Sequence, residues 1–174
     1  DLHSTSRRQR QMCIRDSDDS VDRAIGEIEK ELGKIDVLIN NAGYGLVGGF
    51  EDLALDEIRQ QFETNFFGVI RVIQRVLPGM RTRRNGIIVN ISSGAGIVGF
   101  PCMSGYVSTK FALEGLSESI AHELLPFGIK VIIIEPGVIK TDFVRNSVTS
   151  IRALNESSAY FDILGKIREN LILM

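Results

Sequence analysis

A serine, a tyrosine and a lysine occur at spacings that allow acid–base chemistry. The apolar run 87–91 is typical of a strand buried on both faces. It delivers Ser93 to its carboxyl end, the edge where open α/β sheets bind ligands. A glycine-rich loop follows, and the next predicted helix carries Tyr106 and Lys110 one turn apart on the same face. The hydroxyl, the phenol and the ammonium are therefore predicted to meet in one pocket.

The chemistry of such a pocket depends on the pKa of the phenol, which is ordinarily near 10. Lowering it to about 7 takes roughly 4 kcal/mol, and one ammonium at about 4 Å in an effective dielectric near 20 contributes that much. We therefore expect Lys110 to make Tyr106 a working acid and base, while Ser93 donates a hydrogen bond to a substrate oxygen. Tyr and Lys at this spacing also occur on ordinary solvated helices, so the pair alone is a weak signal.

Further motifs surround this core in a fixed order. Asn40-Asn41-Ala42-Gly43 follows a short apolar run, Asn65 lies in the helical sequence E-T-N-F-F-G, and residues 136–141 read P-G-V-I-K-T. Together with the spacing of Ser93 and Tyr106, these motifs resemble the short-chain dehydrogenase/reductase family over about residues 21–143.

The resemblance implies an enzyme, an NAD(P)-dependent oxidoreductase that interconverts a secondary alcohol and a carbonyl by hydride transfer. It implies that Tyr106 is the general acid and base, and that the catalytic residues are Asn65, Ser93, Tyr106 and Lys110. The residues implied to bind NAD or NADP are Asn41, Ala42, Gly43, Tyr106, Lys110, Pro136, Gly137, Ile139 and Thr141. No metal ligand is implied.

Other interpretations of these motifs remain open. Asn-Ala-Gly and Pro-Gly are common turn sequences, and Asn65 beside an apolar stripe is also typical of a hydrogen-bonded core asparagine. Two other functions are possible: a dinucleotide-binding sensor or scaffold without catalysis, and a nucleotide-sugar epimerase or dehydratase. The presence of both Tyr106 and Lys110 argues against the first, and the N-N-A-G turn and the P-G-V-I-K-T loop argue against the second.

The predicted fold class is α/β, a partial Rossmann-like parallel sheet with three core strands and flanking helices. The strands are expected side by side in the order 36–40, 87–91 and 130–135. Because parallel crossovers are right-handed, both connecting helices should cover the same face. The other predicted elements are helices at 56–80 and 105–127, a loop at 44–50, and an amphipathic helix within 157–172. The other face of the sheet is expected to be covered either by segments absent from this chain or in part by residues 157–172.

The domain prediction divides the chain in two. Residues 1–17 show no periodicity and are interpreted as a disordered or non-native leader, and residues 18–174 as a partial Rossmann domain. Residues 142–174 are interpreted as the substrate lid. Neither the first strands nor a G-x-x-x-G-x-G phosphate loop precedes Val21, so we interpret the chain as a fragment that is inactive alone.

Composition restricts the partners. With 174 residues, 44% hydrophobic and 24% charged, and a net charge of −2, the chain has the composition of a soluble globular domain. We expect a small-molecule alcohol or carbonyl substrate and no nucleic-acid or membrane partner. Cys13 and Cys102 form no disulfide framework, so a cytoplasmic location is predicted. The resemblance also implies a homo-oligomer, a dimer or tetramer, of the full-length protein.

Overall fold

The structure, a computed structural model, describes residues 17–139 and 141–173. Its helices are α1 (Asp18–Leu32), α2 (Leu55–Phe62), α3 (Gly68–Arg83), α4 (Ser104–Leu124), α5 (Phe143–Asn146) and α6 (Phe161–Leu173). Its strands are β1 (Val37–Asn40), β2 (Leu46–Val47), β3 (Gly86–Ile91), β4 (Ile129–Ile134) and β5 (Val148–Thr149). The leader interpreted from residues 1–17 lies outside the described residues except for Ser17.

The main sheet is parallel and has the strand order β1-β3-β4, as predicted. Its register aligns Leu38, Ile88 and Val131 across the three strands. Their side chains pack in or against a core that α1, α3 and α4 complete, in which Met80 and Leu113 are fully buried. Burial of these aliphatic side chains, at about 25 cal/mol per Å², is the main force that holds the helices to this face.

The opposite face of the sheet is apolar and open among the described residues. Ile39 is 61% exposed and Ile134 is 45% exposed, and Val37 and Ile132 are exposed beside them. α3 packs on β1 and β3, and α4 packs on β4. Both connecting helices therefore cover one face of the sheet, as the handedness argument predicted.

The helix predicted over 56–80 is interrupted. A π-helical turn, Glu63–Phe67, separates α2 from α3, and the Gly68 N–H bonds to the carbonyl of Glu63 across it. Thr64 and Asn65 are both buried in this turn. A single π turn widens the helix by one residue, which changes the direction of the side chains that follow and is not visible as a hydrophobic period. The prediction of one continuous helix was wrong for this reason.

The segment 44–50, predicted to be a loop, contains β2, which pairs in parallel with β5. The pairing is short: the Val148 N–H donates to the carbonyl of Gly45 at 2.8 Å, and the Ser150 N–H donates to that of Val47 at 2.9 Å. Two residues are too few to show alternation, so a strand this short has no recognisable pattern in the sequence.

The C-terminal helix lies elsewhere than expected. Leu164 of α6 packs in a small cluster with Val47 and Ala153, at β2 and not on the open face of the sheet. The expectation that residues 157–172 cover part of that face is therefore wrong for the described side chains. Among the described residues, none of the helices is long and apolar enough to cross a membrane.

Candidate active site

The exits of β3 and β4 are joined by backbone hydrogen bonds. The Ser92 N–H donates to the carbonyl of Ile134 at 2.8 Å, and the Gly94 N–H donates to that of Pro136 at 3.0 Å. Ser93 lies between them and begins a short 3₁₀ turn, where its Oγ accepts the Ala95 N–H at 3.1 Å. The serine hydroxyl is thereby fixed at the carboxyl edge of the sheet.

Tyr106 and Lys110 lie in the first turns of α4 and are both buried. The Lys110 ammonium donates to the carbonyl of Ile91 at 2.7 Å and lies 5.7 Å from the centroid of the Tyr106 ring. Ser93 lies close enough to the Tyr106 phenol to lower its pKa by hydrogen bonding. The structure therefore brings the hydroxyl, the phenol and the ammonium together at the end of β3.

Burial raises the pKa of the Tyr106 phenol above its ordinary value, and the hydrogen bond from Ser93 opposes that rise without cancelling it. The expectation that the lysine alone lowers the Tyr106 pKa toward 7 is therefore wrong for the structure. Burial removes the phenolate from water, and this is the largest of the effects on that pKa. The phenol is accordingly protonated at neutral pH and has a proton to donate.

Asn65 is 2% exposed, and its side-chain amide is fully engaged. Its Oδ1 accepts the Tyr44 N–H at 3.1 Å, and its Nδ2 donates to the carbonyl of Tyr44 at 2.9 Å and to Thr109 Oγ1 at 3.2 Å. These contacts tie the loop after β1 to the helix that carries Tyr106. The side chain of Asn65 therefore has the contacts of a hydrogen-bonded core asparagine, one of the two interpretations of this residue in the sequence analysis.

The residues expected to bind the dinucleotide lie at the same edge. Asn41, Ala42 and Gly43 are exposed after β1, and a Cβ at Gly43 would lie 3.0 Å from Asn65 Oδ1, so a side chain there would require the Asn65 amide to shift. Gly137 and Ile139 are exposed after β4.

Pro136 is half-buried and accepts from Gly94. Thr141 Oγ1 accepts the Phe143 N–H at 3.3 Å, which places it at the start of α5. Lys140 of the same motif lies outside the described residues.

Two residues at the site were missed from the sequence. Thr109 is fully buried and its hydroxyl donates to the carbonyl of Tyr106 at 2.8 Å, so it connects Asn65 with the helix turn that holds the phenol. The Phe143 ring lies 5.6 Å from the Tyr106 ring, centroid to centroid. Thr109 lies one helical turn after Tyr106, so its position near the site could have been predicted from that spacing. No pattern near Phe143 in the sequence predicts its contact with Tyr106. The described residues contain no cluster of metal-ligating side chains.

Comparison with known proteins decides the family. A sequence profile described as "short chain dehydrogenase" matches residues 5–151. The chain belongs to the short-chain dehydrogenase family. Two relatives of this short-chain dehydrogenase are an uncharacterized oxidoreductase of Bacillus subtilis, YusZ, and a 3-ketodihydrosphingosine reductase of Bacteroides thetaiotaomicron. The first is 46% identical over 145 residues, 83% of this chain and 52% of that protein. The second is 45% identical over 141 residues, 80% of this chain and 52% of that protein.

Solved structures agree with this assignment. A short-chain dehydrogenase from Streptomyces avermitilis has a TM-score of 0.80 and 39% identity, covering 91% of this chain and 58% of that one. ElxO with NADP bound has a TM-score of 0.71 and 36% identity, covering 74% and 52%. NAD⁺-bound xylitol dehydrogenase has a TM-score of 0.74 and 30% identity, covering 90% and 62%. This short-chain dehydrogenase chain thus spans about half the length of the relatives it matches.

Proposed function

We propose that the protein carrying this chain is an NAD(P)-dependent oxidoreductase that interconverts a secondary alcohol and a carbonyl. One observation carries the proposal: Ser93 and Tyr106 lie close together at the carboxyl edge of the sheet, with the Lys110 ammonium 5.7 Å from the centroid of the Tyr106 ring. A hydroxyl that aligns an oxygen, a phenol that exchanges its proton and a nearby cation form the set of groups that carbonyl reduction requires.

The residues at this edge fit the nicotinamide end of a dinucleotide. Backbone is exposed on either side of the site, at Ala42 and Gly43 after β1 and at Gly137 after β4. A Cβ at Gly137 would meet open space, so a flat ring can approach the chain there. The aliphatic side chain of Ile139 is exposed next to it. The relatives with NADP and NAD⁺ bound support both dinucleotides, and we propose no choice between them.

In the reduction direction, a nicotinamide dinucleotide held by the residues after β1 and β4 would supply the hydride for the carbonyl carbon. Ser93 holds the carbonyl oxygen by a hydrogen bond, and Tyr106 transfers its phenolic proton to that oxygen to give the alcohol. Lys110 stabilises the phenolate that remains. We assign Asn65 a positioning part in this relay, since its amide joins the loop after β1 to Thr109 beside Lys110.

The test is Tyr106→Phe in the intact natural protein that carries these residues. We expect turnover of carbonyl substrates to fall about 10²–10⁴-fold while dinucleotide affinity stays nearly unchanged, because only the proton donor is lost. Ser119→Ala is the control, since it also removes a hydroxyl from α4 but from an exposed side chain that bonds only the carbonyl of Gly115. Turnover that survives Tyr106→Phe contradicts the proposal. Dinucleotide binding by the natural protein without turnover on a panel of carbonyls would favour the sensor instead.

We also propose that the natural protein is a homo-oligomer in the cytoplasm. Phe67, in the π turn, and Phe111, on α4, are each more than two-fifths exposed, and such large apolar side chains are typical of protein–protein contacts. Phe111→Asp is expected to lower the mass measured by light scattering after size exclusion. A mass equal to that of the unchanged protein would contradict this surface as the interface.

A further inference from the structure

The last described segment of the chain docks on the loop that follows β1. We name residues 142–173 the lid and residues 44–57 the docking loop. The parallel pairing of β5 with β2 is the backbone part of this contact, and the Val47, Ala153 and Leu164 cluster is its apolar part. Gly49 lies so close to the lid that an added Cβ would meet the Tyr160 ring at 2.2 Å.

A buried polar junction clamps the two segments together. Ser150 is 1% exposed, and its hydroxyl lies 2.8 Å from the carbonyl of Asp52 and 2.9 Å from Glu57 Oε2. The same Glu57 oxygen accepts the Ala54 N–H at 2.8 Å. One carboxylate therefore caps the first turn of α2 and also binds Ser150 of the lid. A hydrogen bond to a charged acceptor is stronger than one between neutral groups, and leaving a buried partner unpaired is costly.

Two further hydroxyls extend the clamp toward the surface. Ser158 Oγ donates to Asp52 Oδ2 at 2.7 Å, and Tyr160 Oη donates to Glu51 Oε1 at 3.1 Å. Three lid hydroxyls therefore bond to the side chains of three acidic residues in the docking loop, Glu51, Asp52 and Glu57. Because these contacts fix β5, they also fix the short helix α5 that immediately precedes it.

The clamp thereby sets the position of Phe143, the first residue of α5. Its ring is tilted 50° to the Tyr106 ring at a centroid separation of 5.6 Å. On its other side, Cε1 of the same ring would lie 3.5 Å from a Cβ at Gly45, and Ser147 Oγ donates to the Phe143 carbonyl at 3.0 Å. An apolar ring thus stands beside the phenol, between the lid and the docking loop.

We propose that Phe143 determines substrate specificity, because the clamped lid holds its ring beside Tyr106 and excludes substituents that are bulky next to the reacting carbon. This inference rests on the proposed function. The substrate class it favours is a ketone, or the corresponding alcohol, that is apolar and narrow on the side that meets Phe143. One methylene more or less in an apolar pocket discriminates substrates by about 10–200-fold, so a whole ring is expected to reach at least the lower end of that range.

The experiment compares a methyl ketone with the ketone in which phenyl replaces that methyl, using the intact natural protein. We expect Phe143→Ala to raise the ratio of kcat/KM for the phenyl ketone to that for the methyl ketone by at least about 10-fold. Phe143→Leu should give an intermediate ratio. Phe161→Ala is the matched control, because this lid phenylalanine is 39% exposed against 38% for Phe143. Its ratio should stay within about twofold of the unchanged protein.

The clamp is tested in the same assay. Ser150→Ala and Glu57→Ala should move the ratio in the same direction as Phe143→Ala, since they release the lid. Glu57→Gln should retain the original ratio, because one amide oxygen can accept from both Ala54 and Ser150. A ratio unchanged in Phe143→Ala, with turnover still abolished by Tyr106→Phe, overturns the specificity inference alone. Turnover of neither ketone by the unchanged protein overturns the proposed function and this inference with it.

Discussion

The side-chain amide of Asn90 donates a hydrogen bond to the Ser117 hydroxyl at 2.8 Å, in the buried layer between β3 and α4. Asn90 in turn accepts from Asn40 Nδ2 at 2.9 Å, and Ser117 donates to the carbonyl of Leu113 at 2.6 Å. These hydrogen bonds link β1 and β3 to α4, the helix that carries Tyr106. Because every member is buried, each lost partner has a cost, and the depth of α4 against the sheet is set by these bonds.

Ser117→Ala is therefore expected to lower the free energy of unfolding by about 1–3 kcal/mol, since it leaves a buried amide N–H without its acceptor. The chain provides a matched control in Ser119, whose hydroxyl also bonds back to a carbonyl one turn earlier, that of Gly115, at 2.8 Å. Ser119 is exposed, so Ser119→Ala should change stability by no more than about 0.5 kcal/mol. Urea denaturation of both variants measures the difference. Equal effects would show that the buried chain contributes no net stability.

The contrast between Ser93 and Ser150 shows how far the sequence predicts this molecule. Ser93, Tyr106 and Lys110 meet because a buried strand, a parallel sheet and a helical turn determine where they lie, and each of these has a local pattern. Ser150 bonds Glu57 across 93 positions of the chain. That contact follows from a two-residue strand pair and from side-chain packing, neither of which leaves a period in the sequence.

Asn65 gives the same lesson within the site. Its place on a helix was predicted correctly, but its environment depends on a π turn that the hydrophobic pattern does not reveal. The raised pKa of Tyr106 was also missed, because the sequence supplied the nearby lysine and not the degree of burial. Burial of a charged form has to be seen in three dimensions before it can be weighed against a neighbouring charge.

Gly49 is expected to tolerate no side chain. Its backbone has φ −57°, which alanine adopts readily, so any cost of Gly49→Ala comes from the Tyr160 ring that a Cβ would meet. We expect Gly49→Ala to destabilise the protein by about 1–3 kcal/mol, the usual range for overpacking. In a Tyr160→Ala background the same substitution should cost much less. Thermal or urea unfolding of the four proteins gives the coupling energy, and additive effects would contradict a direct clash.

Thr109 is expected to affect turnover through its hydroxyl. Thr109→Val keeps the shape of the side chain but removes both the bond to the carbonyl of Tyr106 and the acceptor for Asn65. On the proposed function, we expect kcat to fall roughly 10–100-fold, because the phenol is displaced from the Ser93 hydroxyl. Thr109→Ser retains the hydroxyl and should recover most of the turnover. If valine and serine give the same kcat, the hydroxyl does not position the phenol.

The last prediction concerns the titration of two tyrosines. Burial raises the pKa of Tyr44 above its ordinary value of 10.0, and the Glu57 charge adds to the rise; burial also raises that of Tyr106. The folded chain thus holds these two protons more tightly than the unfolded chain does. The resulting stability is fully present below about pH 10 and is lost as pH rises through the raised pKa values.

Urea unfolding should accordingly show a decline above about pH 10 that is smaller in Tyr106→Phe, which has no phenolic proton. Ser93→Ala gives the sharper test, since it removes the hydrogen bond that lowers the Tyr106 pKa. We expect it to move the Tyr106 titration to higher pH. The titration is measured by the NMR chemical shift of Tyr106 Cζ, and that signal is assigned by its absence in Tyr106→Phe. A titration that moves to lower pH in Ser93→Ala would mean that Ser93 stabilises the phenol and not the phenolate, because a donor to the charged form must raise the pKa when it is removed.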